Sequence, residues 1–187
     1  MAYEVQDELR RRGLKVEILD GDVVRTNLSK GLGFSREDRD INIRRIGFVC
    51  NLLSRNEVVA IAAAISPYTS VREENRRLIG NYVEVYCKCS MDALVERDVK
   101  GLYKKALAGE IKGFTGVDDP YEAPENAEIV IESDKETVEQ SVEKILRTLE
   151  LMEYIPVKGK CGCACSCQTN AQDEEIKSRL RALNYSV

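Results

Sequence analysis

Residues 18–25 read Ile-Leu-Asp-Gly-Asp-Val-Val-Arg, and the rest of the chain is organised around them. Their first two residues end a predicted buried strand, Lys15 to Leu19, which passes directly into acidic residues. In an open α/β sheet, ligands bind at the carboxyl ends of the strands. Asp20 and Asp22 suit a magnesium ligand and a proton acceptor, and Arg25 offers a fork of donors to phosphate or sulfate. The other interpretation is a polar turn in which Asp22 caps the next helix.

Strands and helices alternate along the chain on both sides of this turn. The run Glu-Val-Val-Ala-Ile-Ala-Ala-Ala-Ile at 57–65 is typical of a strand covered on both faces of a parallel sheet. Further strands are predicted at 82–87 and 128–131, with helices at 2–12, 36–55, 69–79 and 91–98, and a last one capped by Ser133 or Asp134. This order predicts a doubly wound, mostly parallel α/β fold. No strand precedes the opening helix, so we expect the sheet to lack its first strand.

Composition narrows the classes of function. The 187 residues suit one α/β domain with an appendage, and a net charge of -4 argues against a nucleic-acid partner. We find no run of about 18 apolar residues and no signal peptide, so we expect a cytoplasmic protein without a membrane partner. The chain has no histidine, which excludes Ser-His, Cys-His and His-metal chemistry. Acid and base roles therefore fall to Asp, Glu, Lys or Tyr.

Other polar residues are candidates for the same ligand site as the acidic turn. Ser66 follows the strand at 57–65, and a turn serine before Pro67 is the ordinary interpretation. Arg39 and Asn42 lie in the first turns of the helix at 36–55, where solvated polar groups are also common. A basic segment runs into the glycine-containing stretch 108–116, and its cations are Arg97, Lys100, Lys104 and Lys105. Glycines in such a basic and aromatic region predict a mobile lid over an anionic ligand, although a surface loop has the same composition.

The cysteines fall into two groups. Cys50, Cys87 and Cys89 lie in apolar stretches and are predicted to be core residues. The second group, in which cysteines alternate with small residues, consists of Cys161, Cys163, Cys165 and Cys167. It suits the binding of a soft metal ion or an iron-sulfur cluster, and the other interpretation is a disordered segment that is easily oxidised. An amphipathic helix is predicted at 173–185, with an apolar stripe that docks on its own domain or on a sister subunit. The sequence therefore predicts two units, an α/β domain at 1–155 and a cysteine-rich linker with a short amphipathic helix at 156–187.

Six sequence blocks together resemble the adenylylsulfate kinase family. They are DGDxxR at 20–25, LGFS at 32–35, DRxxNIRR at 38–45, ISP at 65–67, RDVKGLY at 97–103 and KGFTG at 112–116. The resemblance covers roughly residues 1–152, and the blocks occur in the family's order and spacing. It implies a P-loop kinase fold that uses ATP and Mg²⁺ to phosphorylate the 3′-hydroxyl of adenosine 5′-phosphosulfate during sulfate activation.

The resemblance also implies roles for individual residues. Asp20 and Asp22 would share magnesium positioning and proton acceptance, with Asp20 as the metal ligand and Ser66 in the catalytic set. The implied substrate-binding residues are Arg25, Phe34, Arg39, Asn42, Ile65, Ser66, Lys100, Lys112 and Phe114, with the two phenylalanines stacking on adenine. Arg97, Lys100 and Thr115 would serve ATP and the lid. The implied partners are a second copy in a homodimer and ATP sulfurylase.

One family element has no counterpart in the sequence. The string G-x-x-x-x-G-K-[ST], whose backbone amides and lysine hold the phosphates of ATP, occurs nowhere in these 187 residues. Three explanations stay open: an active kinase whose true start precedes Met1, a split protein whose partner supplies the missing strand, or an inactive module that binds adenosine phosphosulfate. An absent central strand would leave two strand edges unpaired.

Overall fold

The computed structural model describes residues 1–157 and 171–187 of the chain. Within these ranges the helices are α1 (Ala2–Arg11), α2 (Gly21–Thr26), α3 (Arg36–Ser54), α4 (Thr69–Ile79), α5 (Met91–Glu96), α6 (Leu102–Leu107), α7 (Val138–Leu151) and α8 (Ala171–Ala182). The strands are β1 (Val16–Asp20), β2 (Val59–Ala63), β3 (Val85–Lys88) and β4 (Ile129–Glu132). The predicted alternation of strands and helices is confirmed, with element boundaries displaced by a few residues.

The described strands form two parallel pairs. β1 pairs with β2 in a register that sets Val16 opposite Val59 and Asp20 opposite Ala63. β3 pairs with β4, beginning with Val85 opposite Ile129. Within the described residues β2 and β3 do not pair with each other, as expected for a sheet that lacks a central strand. The parallel register brings the carboxyl ends of β1 and β2 together, so the acidic turn and the Ser66 segment share one edge.

Helices cover both faces of these strands. On one face α1 and α7 pack against the strands in a core formed by Val5, Leu9, Val16, Ile129, Ile131, Ile145, Leu146 and Ile155. On the other face α3 and α4 pack in a core formed by Leu19, Val24, Ile43, Ile46, Cys50 and Val71. Successive residues of β1 and β2 contribute to opposite cores, as the two-residue period of a strand requires. The doubly wound arrangement is therefore confirmed.

Burial around the open strand edges is lower than predicted. Ala62 of β2 is exposed, although the apolar run predicted cover on both faces. Cys87 is exposed and Cys89 half-buried, so their prediction as core residues was wrong, whereas Cys50 is buried as expected. The reason is that β2 and β3 each pair on one side only in the described chain. Burial raises the pKa of the Cys50 thiol to about 11, which keeps it protonated and unreactive at neutral pH.

The last core helix begins later than predicted. Thr137 caps α7 through a capping box with the glutamine three residues on. Ser133 and Asp134, the predicted caps, are used elsewhere: Ser133 Oγ donates to the Lys88 carbonyl at 3.1 Å, and Asp134 Oδ2 accepts from the Ser90 amide at 3.1 Å. Both side chains thus fix the turn after β4 to the end of β3, which explains why neither starts the helix.

The tail helix α8 packs on the chain's own domain. Ile176 and the fully buried Leu180 contact Met152 at the end of α7. Asp173 accepts two hydrogen bonds from Arg147, at 2.6 Å from Nε and 2.7 Å from Nη2. Of the two predicted alternatives, its own domain or a sister subunit, α8 takes the first in the described chain. The four closely spaced cysteines lie outside the described residues, and in the ranges that are described no helix is long and apolar enough to cross a bilayer.

Candidate active site

The acidic turn packs directly on the end of β2. Asp20 ends β1, and its Oδ1 accepts hydrogen bonds from the backbone amides of Asp22 at 2.9 Å and Val23 at 3.4 Å. Asp20, not Asp22, therefore caps α2, because its carboxylate satisfies amides that the first helical turn leaves unpaired. A Cβ on Gly21 would lie 3.1 Å from the Ala63 carbonyl oxygen, which explains a glycine at this close approach.

Asp22 carries the exposed carboxylate of the turn. Its side chain is 85% exposed, and Oδ2 lies 2.8 Å from Nζ of Lys100, itself 66% exposed. The hydrogen bond to Asp22 raises the pKa of Lys100, so the lysine remains a cation. Lys100 lies between α5 and α6, far from Asp22 in sequence. The structure therefore brings one predicted lid residue to the acidic turn and leaves both charges accessible to a ligand.

Arg25 and Phe34 form a second element of the site. Arg25 Nη1 donates to the Gly33 carbonyl at 2.7 Å. The guanidinium carbon lies 4.5 Å from the centroid of the Phe34 ring, within range of a cation–π interaction. Phe34 is nonetheless 68% exposed. A large aromatic side chain held at the surface by an arginine offers a stacking face beside a positive charge.

Arg39 joins this element to the predicted lid. It is 7% exposed, and its Nε donates to the Phe34 carbonyl at 2.8 Å. Its Nη2 donates to the Gly113 carbonyl at 2.5 Å and lies 3.1 Å from Asp119 Oδ2. Two of its nitrogens are thus bound to protein groups. Arg39 consequently fixes the segments before Phe34 and before Phe114 relative to α3.

Asn42 lies one turn further along α3 and is also buried. It is 5% exposed, and its Oδ1 has no hydrogen-bond partner within the described chain. A buried acceptor is normally paired, so this oxygen can accept one more hydrogen bond.

The glycine-rich segment 112–116 folds around an aspartate that follows it. Asp118 accepts hydrogen bonds from the amides of Gly113 at 2.7 Å and Phe114 at 2.6 Å. These two backbone donors lower the pKa of Asp118 and keep it ionised. The Phe114 ring packs edge-on against Tyr103 with centroids 4.9 Å apart, and Thr115 forms a bridge with Asp119. The sequence reasoning missed Asp118 and Asp119, although acids shortly after a glycine, here Gly116, are a turn signal.

The Ser66 turn is held by groups that the sequence did not suggest. Ser66 has φ 44, in the left-handed region that non-glycine residues rarely adopt. Arg72 donates to the Ser66 carbonyl and to the Glu122 carbonyl, both at 2.8 Å. Ile65, just before the turn, is 67% exposed. Strained residues of this kind cluster at functional sites, and arginine contacts of this sort keep them in place.

Two predicted cations lie at the margins of the site. Arg97 donates from Nη1 to the Ser133 carbonyl at 2.9 Å and so lies by the carboxyl end of β4. Lys112 is exposed at the start of the glycine-rich loop. Arg97 is therefore bound to the segment after β4, whereas Lys100 contacts the acidic turn.

The residues of the acidic turn fit a magnesium ion. Within the described ranges no three Asp, Glu or Cys side chains converge as a metal cage. Asp20 uses Oδ1 for the helix cap, which leaves Oδ2 for another ligand, and Asp22 is open to solvent. Magnesium is commonly held by one or two carboxylates with substrate phosphates and water completing its shell. This donor set suits such an ion without a third protein ligand.

Comparison with known proteins identifies the class. The family model described as adenylylsulphate kinase matches residues 1–132, and the chain belongs to this family. Its parallel α/β arrangement is accordingly that of a P-loop NTPase, as predicted.

Individual relatives cover most of the chain. An adenylyl-sulfate kinase of Rippkaea orientalis is 58% identical over 83% of this chain and 86% of its own length. A probable bifunctional SAT/APS kinase 2 of Sorangium cellulosum is 60% identical, and the chain spans 27% of its length. The solved Mycobacterium tuberculosis APS kinase in complex with AMPPNP and APS superposes with a TM-score of 0.76 at 35% identity, over 80% of this chain and 88% of the other. A hexameric APS kinase from Thiobacillus denitrificans gives a TM-score of 0.61 at 32% identity, over 82% of this chain and 26% of the other.

Proposed function

We propose that the chain transfers the γ-phosphoryl group of ATP to the 3′-hydroxyl of adenosine 5′-phosphosulfate, giving 3′-phosphoadenosine 5′-phosphosulfate and ADP. The observation that carries the proposal is the convergence, at the carboxyl ends of β1 and β2, of the exposed Asp22 with Lys100, beside a turn that packs on Ala63. A chain 58% identical over most of its length bears the name adenylyl-sulfate kinase, and a solved relative holds AMPPNP and APS.

The two aspartates take different parts in this proposal. Two backbone amides fix Asp20, which suits it to hold Mg²⁺ through its remaining oxygen. When bound, the ion would neutralise charge on the phosphate oxygens of ATP. Asp22 is exposed and is proposed to accept the proton of the 3′-hydroxyl. Lys100 would exchange its contact with Asp22 for the developing negative charge, since direct transfer needs mainly positioning and charge stabilisation.

The remaining predicted residues would bind the two nucleotides. Arg25 and Asn42 are proposed to donate to the phosphosulfate end, whose oxygens are all acceptors, and Arg39 to do so with the nitrogen that its protein contacts leave over. Phe34 and Phe114 would stack on adenine, each positioned through Arg39. Ile65, Ser66 and Lys112 are proposed to bind adenosine phosphosulfate, with Ser66 also in the catalytic set. Arg97 and Thr115 are proposed to bind ATP.

A second candidate is a module that binds adenosine phosphosulfate without turnover. It is favoured by one observation: the sequence contains no G-x-x-x-x-G-K-[ST] string to hold the phosphates of ATP.

Turnover and calorimetry on the same preparation separate the two candidates. The purified chain is assayed with ATP, Mg²⁺ and adenosine phosphosulfate, and each nucleotide is titrated alone. Product formation, lost in Asp22→Asn and kept in the control Asp7→Asn on the exposed side of α1, supports the kinase. Binding of adenosine phosphosulfate without product supports the module. Binding of neither nucleotide would contradict both.

Assembly is proposed at two levels. A homodimer is the expected state of the chain, and association with ATP sulfurylase is suggested by a relative whose name combines SAT with APS kinase. The relative from Thiobacillus denitrificans is hexameric, so the number of subunits needs its own measurement. Light scattering at several concentrations, with and without an ATP sulfurylase, tests both: a monomer at every concentration would contradict the dimer.

A further inference from the structure

A continuous series of polar contacts connects the tail to the Ser66 turn. We refer to it as the Arg–Glu relay, and its members are, in order, Tyr185, Glu128, Arg76, Glu84, Arg72 and Ser66. One end belongs to the segment after α8 and the other to the edge of the candidate active site. None of the four charged members takes part in the proposed chemistry.

The outer end of the relay is a tyrosine bound to a buried carboxylate. Tyr185 Oη donates to Glu128 Oε1 at 2.8 Å, and Glu128 is 3% exposed. Burial, and then the hydrogen bond to Glu128, raises the pKa of Tyr185 to about 12. The phenol therefore stays protonated and keeps donating over the physiological range. Leu180, fully buried in α8, fixes the backbone that carries the tyrosine.

The middle of the relay is an arginine shared by two glutamates. Arg76 Nη1 donates to Glu128 Oε1 at 2.5 Å and Nη2 to Glu128 Oε2 at 3.2 Å. The same Nη2 lies 3.3 Å from Glu84 Oε2. Glu84 also donates its backbone amide to Glu128 Oε2 at 2.7 Å. The position of Glu84 is thus set by both neighbours.

The inner end of the relay reaches the strained turn. Arg72 Nε lies 2.8 Å from Glu84 Oε1 as an ion pair, although the angle is not that of a hydrogen bond. Arg72 is 5% exposed and donates to the Ser66 carbonyl at 2.8 Å. Because Ser66 has φ 44, its conformation depends on contacts of this kind to persist.

Burial makes the relay act as a unit. The side chains of Arg72, Glu84 and Glu128 are 6%, 10% and 2% exposed, so each charge depends on its neighbours for compensation. In a buried ion-pair series, removing one partner leaves an uncompensated charge that the others must rearrange to accommodate. A change at Tyr185 is therefore expected to alter the position of Arg72 and, through it, Ser66.

We propose that the segment 171–187 positions the Ser66 turn through the Arg–Glu relay, with Tyr185 as the positioning residue at its outer end. The tail is then a structural part of the candidate active site and not only an appendage. The importance of the turn for catalysis rests on the proposed function, whereas the mechanical connection does not. The test therefore measures the turn itself.

Hydrogen–deuterium exchange on the full chain provides that test. In Tyr185→Phe, which removes only the phenolic oxygen, exchange at residues 64–70 should rise between about two- and thirtyfold, the range seen for coupling through packed networks. Tyr3→Phe is the matched control, because Tyr3 is 57% exposed on α1. Arg76→Lys, which keeps the charge and loses the fork, should raise exchange in the same segment. The double variant should add little to the larger single effect, since both changes break one relay.

Other results would overturn the proposal. Increased exchange confined to 171–187 would show a tail that docks without positioning the turn. An equal rise along the whole chain would show a general loss of stability, and full additivity in the double variant would show independent effects. Calorimetry with adenosine phosphosulfate is performed on the same variants. If the wild-type chain binds no nucleotide while the exchange pattern appears as expected, the proposed function fails and the relay stands.

Discussion

Replacing Gly47 with alanine sets two effects of opposite sign against each other where α3 packs on α4. In a helix interior, alanine is favoured over glycine by about 0.8–1.0 kcal/mol. An ideal Cβ at this position, however, would lie 2.6 Å from Nδ2 of Asn75 and closer still to its Cγ and Oδ1. Asn75 is 7% exposed and donates from Nδ2 to the Ile43 carbonyl at 3.1 Å, so it cannot move without losing that bond.

The steric term in Gly47→Ala is expected to win. Leaving the buried amide and carbonyl unpaired costs about 1–3 kcal/mol. Overpacking adds about 1–3 kcal/mol. After subtraction of the helix preference, the free energy of unfolding should fall by roughly 1–5 kcal/mol, measured by urea denaturation with an unchanged slope. The double variant Gly47→Ala/Asn75→Ala, in which the obstructing side chain is gone, should recover part of the loss. A single variant as stable as the wild type would refute the reasoning.

Three further predictions concern the candidate site and the tail. In Arg39→Lys the lysine cannot reach both the Phe34 and Gly113 carbonyls, so the free energy of unfolding should fall by about 1.5–3 kcal/mol. Proteolysis at 109–116 should become faster, and unchanged proteolysis would contradict the bridging role. Lys100→Met should leave the denaturation midpoint nearly unchanged, because solvent screens an exposed ion pair and it adds little to stability. The same variant should lower turnover or nucleotide affinity about tenfold, and equal activity would exclude Lys100 from the site. The pKa of Tyr185 is raised from 10.0 to about 12, so its contribution to the free energy of unfolding is complete below pH 10 and is lost as the pH rises to 12. In a pH titration followed by tyrosinate absorbance, Tyr185→Phe should remove one tyrosine that titrates late.

Short-range sequence patterns predicted the skeleton of the fold and the acidic turn at the end of β1. The strand predicted before Asp20 ends within one residue of the observed end of β1, because a buried strand and a polar turn differ in composition. The helix predicted from residue 36 begins there in the structure, where Ser35 Oγ caps α3 by accepting from the Asp38 amide at 3.1 Å. Such features involve residues three or four positions apart, where chain geometry alone determines the contact.

Long-range partners could not be predicted in this way. Arg39 meets Gly113, 74 positions away, and nothing in the spacing of either residue marks them as a pair. The bond between Tyr185 and Glu128 spans 57 positions and depends on the docking of α8. Cys87 was misplaced for a related reason: its apolar neighbours indicate a buried strand, but burial depends on what lies beside that strand.

The left-handed backbone at Ser66 changes how mutational data at this position should be interpreted. Glycine adopts φ 44 freely, whereas residues with a Cβ incur roughly 1–2 kcal/mol in the left-handed region. Ser66→Gly would therefore remove a hydroxyl and relax the main chain at once, and the two effects on stability and activity would oppose each other. Ser66→Ala retains the backbone constraint and deletes only the oxygen. Alanine, and not glycine, is thus the informative replacement for deciding whether the serine hydroxyl has a chemical role.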